Sequence, residues 1–302
     1  MRSLSVSAQT RLLVVAPHPD DETLGCGLLL QQVLAAGGAI RVLLMTDGDN
    51  NPWPQRYMER RFIVDAAARK RWGIRRRDEV MRALERLGVS ASVLYPLGWR
   101  DMEVTDRLVD DFASAIAAMR DAVQAFQPNL ICCPDLRDSH PDHGAAHVLC
   151  RLTLAGMHPL PALWAYPVHG VADASAYPLS IDPTPEQQER KLQALAEHRT
   201  QMTLSGKRMR RLAVGAERYV SVDDAAGEGY LPWRPSMFLR YALRVLVATP
   251  SGVRDWPWEE APLESREGGY RLRGTKEGPV FVKLHLDWPS PWIFDHWGWH
   301  AV

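Results

Sequence analysis

The chain of 302 residues has no long hydrophobic run. None approaches the roughly 20 consecutive apolar residues that a bilayer-spanning helix requires. It has no excess of either charge, since 36 basic side chains meet 36 acidic ones, and bulk electrostatics therefore give no reason to expect a nucleic-acid partner. Residues 1–10 are polar and lack the apolar stretch of a secretory signal. Cysteine is scarce: Cys26, Cys132, Cys133 and Cys150 form no CxxC pair, which predicts reduced thiols in a cytoplasmic protein. No internal repeat or low-complexity tract is present. No GxGxxG loop follows the first apolar strand, which argues against a redox or methyl-transfer enzyme of dinucleotide-binding type.

What is present is a regular alternation of apolar runs and amphipathic segments. Leu12–Ala16 and Ile40–Met45 read as buried strands, Ala91–Leu97 as a third strand, and Leu130–Cys133 as a fourth with Cys132-Cys133 buried. Helical spacing occupies Glu22–Ala36, closed by Gly37-Gly38, then Arg75–Leu87, closed by Gly88. It returns at Asp106–Phe126 and Gly144–Leu154. A further helix is expected over Asp182–Met202, with Thr184, Pro185 and Gln187 forming a capping-box start. The order predicts an α/β fold, a Rossmann-like, mostly parallel sheet flanked by helices. After Val220 proline and tryptophan become frequent, and seven of the eleven tryptophans lie at or beyond Trp233. A small Trp/Pro-rich C-terminal element is expected there, with helical periodicity near Met237–Val247 and paired strands at Tyr270–Arg273 and Val280–Leu286. The expected division is 1–220 and 221–302, the second part completing or packing on the first.

Two short runs carry the chemistry. Residues 15–22 read Val-Ala-Pro-His-Pro-Asp-Asp-Glu, and residues 140–143 read His-Pro-Asp-His. Each couples imidazole to carboxylate just past the end of a strand, where open parallel sheets bind ligands. A catalytic zinc needs such groups on a rigid support, three as ligands with one position left for water. A spare carboxylate beside the metal can then take the water's proton. A single His-Pro-Asp is commonly only a turn; two of them at strand ends favour a site. His147, one helical turn after His143, could mimic a His-x-x-x-His zinc pair, but no glutamate follows His143, and it reads as a packed histidine or one standing behind a ligand. Gly25-Cys26-Gly27 hints at a phosphate loop but lies inside a helical pattern, which favours close helix packing.

The two runs resemble the signature of the PIG-L family, also called LmbE-like proteins, which are zinc-dependent N-deacetylases of N-acetylglucosamine-containing molecules. Pro17 departs from the family's usual Ala-His-Pro-Asp-Asp-Glu. Further likenesses are Met45-Thr46-Asp47-Gly48, Arg76 with Glu79, Ala83 and Leu87-Gly88, then Leu97-Gly98 with Asp101, and Lys191, Ala194-Leu195, His198 and Gln201. Together they span roughly residues 10–205. The resemblance implies His18, Asp21 and His143 as ligands of Zn2+, although two imidazoles and a carboxylate also accept Fe2+. It implies Asp20 as general base, His140 facing the developing oxyanion, and Asp142 holding that imidazole oriented and protonated. Glu22 is expected to be structural at the helix start. Arg76, Glu79 and Asp101 are candidates for sugar hydroxyls or a phosphate, with Asp47 and Asn50 weaker ones.

The implied reaction is hydrolysis of the acetamido group of an N-acetylglucosamine-containing glycan or glycoconjugate, for instance an envelope polysaccharide or lipopolysaccharide precursor. The alternatives are a zinc amidase acting on a non-sugar or thiol-conjugate amide, and a non-catalytic glycan-binding protein. The expected partner is an amino-sugar-containing small molecule or glycan. The basic runs Arg69–Arg77 and Lys207–Arg211 read as solvated helix faces, or as contacts to an anionic glycan. The tryptophan-rich segment reads as self-packing, with a stacking surface for sugars or peripheral membrane contact as the alternatives.

Overall fold

A computed structural model describes residues 2–3, 6–170, 174–222, 230–266, 268–274, 278–288, 294 and 296–302. Five parallel strands form its centre: β2 (Arg11–Ala16), β3 (Ala39–Thr46), β4 (Leu94–Trp99), β5 (Leu130–Pro134) and β6 (Ala162–Tyr166). They are ordered β4-β3-β2-β5-β6. Beyond β6 the antiparallel β8 (Glu217–Ser221), then β7 (Leu179–Ile181) and β1 (Arg2–Ser3), complete an eight-stranded sheet. β5 is buried along its whole length and β2 in all but its first residue, as expected of strands covered on both faces.

Side chains of β2 alternate between two cores. Leu12, Val14 and Ala16 face α1 (Asp21–Ala35), α3 (Ala66–Arg86), α7 (Pro185–Glu197) and α8 (Arg199–Ala213). Leu13 and Val15 face α4 (Val104–Asp110), α5 (Phe112–Phe126) and α6 (Pro141–Leu154). The remaining helix, α2 (Pro52–Glu59), lies between β3 and α3. The chain reverses its direction of winding between β2 and β5, and the crevice at that switch is where such sheets place ligands. Both His/Asp runs lead out of it.

Several boundaries differ from the sequence pattern for identifiable reasons. The helix expected from Arg75 begins at Ala66, capped by the Asp65 carboxylate on the Ala68 N–H at 2.8 Å; Arg69–Arg77 is so polar that its buried stripe is hard to read. The segment 106–126 breaks at Asp111 (φ −136°), and 182–202 breaks at His198, whose ring is fully buried. A one-turn 3-10 helix at Ala91–Val93 delays the third strand to Leu94. α6 starts at Pro141, so the second His/Asp run opens this helix rather than preceding it.

Met237–Val247 is not helical as expected. One 3-10 turn at Arg240–Ala242 leads into β10 (Leu243–Thr249), whose Val245 and Val247 suit a pleated surface. The two late strands, β13 (Gly269–Leu272) and β14 (Phe281–Leu286), do not pair with each other. β14 joins β10, β11 (Gly252–Pro257) and β15 (Trp299–Ala301), whereas β13 joins β12 (Leu263–Arg266) and β9 (Tyr230–Leu231). Trp233 and Trp258, with Trp256 and Trp297 beside them, pack a third core, so these tryptophans serve the element's own packing. Trp299 instead lies against Gly144 and joins the first core. Trp292 lies outside the described residues. No helix among the described residues is long and apolar enough to cross a membrane.

Close packing also explains two sequence features. Any side chain at Gly25 would enter the Tyr166 ring, whose hydroxyl donates to Val15 O at 2.7 Å. That is the helix packing read from Gly25-Cys26-Gly27. Lys191 and Glu217, both buried, meet at 2.6 Å, and Glu217 also accepts from Leu28 N, Leu29 N and Tyr219 OH. This pair joins α1, α7 and β8. Glu217→Gln should leave the Lys191 charge buried without its counter-ion and lower stability by about 3–5 kcal/mol in urea unfolding. Adding Lys191→Met should recover most of that loss; no recovery would mean that the hydrogen bonds of Glu217, not the charge pair, hold the three elements.

A candidate metal centre and its carboxylate shell

The loop after β2 is under strain at one residue. Asp20 sits at φ 125°, a region that side chains other than glycine rarely occupy. Its neighbours hold it there. Its N–H donates to Glu22 Oε2 at 3.0 Å, and its carbonyl accepts from Thr23 and Leu24 at the start of α1. Glu22 is itself fully buried, 2.7 Å from Thr23 Oγ1 and 3.0 Å from His198 Nε2. The break between α7 and α8 delivers that histidine. Glu22 thus has the structural place expected of it, and it fixes the backbone from which Asp20 points.

Three side chains from the two runs converge. His18 Nδ1 lies 3.3 Å from Asp21 Oδ2, His143 Nε2 lies 3.1 Å from the same oxygen, and the two nitrogens are 3.3 Å apart. A tetrahedral ion with bonds of about 2.0–2.1 Å places its ligand atoms roughly 3.3–3.4 Å from one another. The triangle therefore has the edge length of one face of such a polyhedron, with the donor chemistry of a catalytic zinc. The far side of each ring is backed by carboxylate: His18 Nε2 is 3.1 Å from Asp142 and 3.2 Å from Asp101, and His143 Nδ1 is 3.1 Å from Asp138. Carboxylates in this position orient metal-binding imidazoles and raise their basicity. His140 and His169 line the same hollow, within 4.8 Å of members of the triangle.

The electrostatics favour a cation. Burial works against a charged imidazole, yet Asp138 and Asp21 push His143 up to about 10, and Asp101, Asp142 and Asp21 raise His18 well above its ordinary value. Protons and metal ions compete for such nitrogens. Burial and the adjacent Asp21 charge bring Asp20 up to about 7, with Arg76 opposing. A carboxyl group near that value suits a general base at neutral pH. His140 is lowered, by burial and then by the neighbouring imidazoles. Its Nδ1 accepts the Asp142 N–H at 3.2 Å, which leaves the proton on Nε2.

The remaining residues singled out in the sequence fall into two groups. Asp101 reaches the centre through His18, and Asn50 follows it, with N–H to Asp101 Oδ2 at 3.3 Å. Asp142 is at the centre but not on the expected partner. Its carboxylate faces His18 and accepts from Met102 N and Val104 N, while only its backbone meets the His140 ring. α6 begins at Pro141, so Asp142 lies in its first turn, its carboxylate between His18 and the start of α4. Arg76 is buried, donating to Gly48 O and Pro19 O at 2.8 Å each and standing 3.8 Å from Asp20. Gly48, at φ +62°, leaves the space its guanidinium fills. Glu79 is buried against Thr200 N and Oγ1, and Asp47 pairs with Arg77. These last three side chains brace the loops around the hollow. His147 packs against Pro134 O and Cys133, as expected of a core histidine.

Sequence reasoning missed Asp138 and His169. Asp138 accepts from the N–H groups of His140, Val168 and His169 and so ties the loop after β5 to the loop after β6. His169 follows an apolar strand just as His18 and His140 do, and that shared position was the available signal. Arg208 from α8 donates to His169 Nδ1 at 2.8 Å, and Phe294 lies 5.8 Å from the His169 ring. Asp138→Asn should weaken divalent-ion binding roughly 10–100-fold, read by competition with a chelator. Unchanged affinity would mean that this carboxylate does not serve the His143 ring.

Comparison with known proteins finds relatives of one kind. The family described as PIG-L, GlcNAc-PI de-N-acetylase, matches residues 13–153. A 1D-myo-inositol 2-acetamido-2-deoxy-alpha-D-glucopyranoside deacetylase of Mycolicibacterium vanbaalenii is 30% identical over 242 residues, covering 65% of this chain and 82% of that protein. The like-named protein of Mycobacterium sp. strain KMS is 33% identical over 170 residues, and the match spans about half of it, 52%. The solved N,N'-diacetylchitobiose deacetylase of Pyrococcus horikoshii is similar in fold, with a TM-score of 0.55 at 20% identity over 70% of this chain and 83% of that one.

Proposed function

The chain belongs to the PIG-L family, and from that premise we propose that it is a zinc-dependent N-deacetylase that hydrolyses the acetamido group of an N-acetylglucosamine-containing molecule to a free amine and acetate. The observation that carries this reading is the triangle of His18, Asp21 and His143, with Asp20 held in strained backbone beside it. These three side chains would hold the ion. When bound, it lowers the pKa of a water molecule and polarises the amide carbonyl. Fe2+ is the alternative occupant for the same nitrogen and oxygen donors.

The chain's own groups account for the proton transfers. Asp20 takes the proton of the attacking water as its oxygen bonds to the carbonyl carbon. His140, with its proton on Nε2, donates a hydrogen bond to the oxygen that gains charge. Asp20 then returns its proton to the amide nitrogen, and the C–N bond breaks to leave amine and acetate. Arg76 steadies the ionised form of Asp20 from 3.8 Å. Substrate selection falls to the residues at the mouth, among them Asn50, His169, Arg208 and Phe294. Four buried cysteines without a disulfide fit a reducing, cytoplasmic setting.

The test is acetate release from the free sugar, a simple inositol or alkyl glycoside, a nucleotide sugar and a lipid-linked oligosaccharide, each with N-acetylglucosamine. Asp20→Ala should reduce turnover by roughly 10²–10⁴-fold while metal content stays at the wild-type level. Prolonged dialysis against a chelator should abolish activity, and Zn2+ should restore it. Release that persists without Asp20, or none from any substrate with metal fully loaded, would move the reading to a different amide or to a binding role.

A further inference from the structure

The net charge of the chain is zero, but its distribution is not even. Residues 52–77 carry nine basic and two acidic side chains, and α8 carries five basic and no acidic ones. The two regions touch: Thr203 Oγ1 on α8 meets Met58 Sδ on α2 at 3.2 Å. Arg60, Arg61 and Lys70 are exposed and have no carboxylate partner among the described residues.

At the tip of this basic lobe, between α2 and α3, Phe62 is 93% exposed and Ile63 82%. On α2, Trp53 and Tyr57, four residues apart and hence on one face, are 63% and 68% exposed. The lobe is well anchored. Buried Gln55 donates to Ala68 O at 2.8 Å, Asp65 caps α3, and Arg60 ends α2 in left-handed conformation. Apolar side chains are therefore held out into water by a framed structure, which marks an interaction site.

We propose that this lobe is a docking surface for an anionic lipid membrane. Tryptophan and tyrosine favour the headgroup level, phenylalanine and isoleucine the hydrocarbon beneath it, and arginines the negative surface. Charge selects among occupants. A second copy of the chain would bring the same unpaired arginines face to face. A nucleic acid would match the charge but leave Ile63 without an apolar partner. The lobe stands directly beside the metal centre: α2 follows the loop in which Asn50 contacts Asp101, and Asp101 contacts His18. Docking through it would bring the mouth of the site close to the lipid surface. The inference does not depend on which amide the site cleaves.

The test is co-sedimentation of the full chain with vesicles of phosphatidylcholine alone or with about one-third phosphatidylglycerol, at low and high salt. Wild type should bind the anionic vesicles, lose most binding at high salt, and ignore the neutral ones. Phe62→Ser/Ile63→Ser and Arg60→Glu/Arg61→Glu should each lower partitioning roughly tenfold or more, with activity on a soluble N-acetylglucosamine glycoside within about twofold of wild type. Equal binding of both variants and wild type, or no binding of wild type to anionic vesicles, overturns the proposal. So does a concentration-dependent dimer that the Phe62/Ile63 variant loses, or binding to DNA in place of vesicles. Retained glycoside activity separates these results from a failure of the catalytic reading.

Discussion

Asp20, Asp21, Asp101, Asp138 and Asp142 lie buried around His18, His140 and His143. Carboxylates withdrawn from water at this density need compensating positive charge or hydrogen-bond donors, because an unpaired buried charge is strongly destabilising. Much of the architecture near the centre follows from that need. Backbone N–H groups of Met102, Val104, Val168 and His169 are turned inward to Asp142 and Asp138. Arg76 is buried at the price of a glycine at position 48. The imidazoles supply the remaining positive charge as protons, or give way to a metal ion that supplies it instead.

The same constraint explains why the loops after β2, β3, β5 and β6 behave as one unit. Asp138 links the loop after β5 to that after β6. Arg76 reaches both Pro19 and Gly48, joining the loops after β2 and β3. The strain at Asp20 is sustained by Glu22 and His198, so a break between two helices far along the chain contributes to the geometry of a loop near its start. The centre is in this sense a property of the sheet's whole carboxyl edge. Beside it, the basic lobe is a different kind of feature, with apolar side chains exposed where they gain nothing from the fold itself.

The parallel α/β core was legible because burial on both faces forces continuous apolar strands, and Leu12–Ala16 and Leu130–Cys133 show them openly. The C-terminal region is less legible. Met237–Val247 has an apolar spacing compatible with either periodicity, and its strand state depends on pairing with β11 and β14. Helical spacing runs on across Asp111 and His198 because side-chain spacing alone does not report a backbone break. The sequence marks Arg76 and Glu79 as candidate substrate contacts, but nothing local says that Gly48 and Thr200 bury them.

By itself the sequence determined the chemical inventory and its placement: two His/Asp runs, each past a strand end, because local periodicity fixes strands and strand ends fix where side chains can converge. Only the tertiary structure decided which atoms meet. It set Asp142 behind His18 rather than His140, recruited Asp138 and His169, and brought His18 and Asp21 within bonding range of His143. The physical reason is that ring orientation, burial and electrostatic pairing between residues more than 120 positions apart depend on how β2 and β5 lie side by side, and no local pattern encodes that.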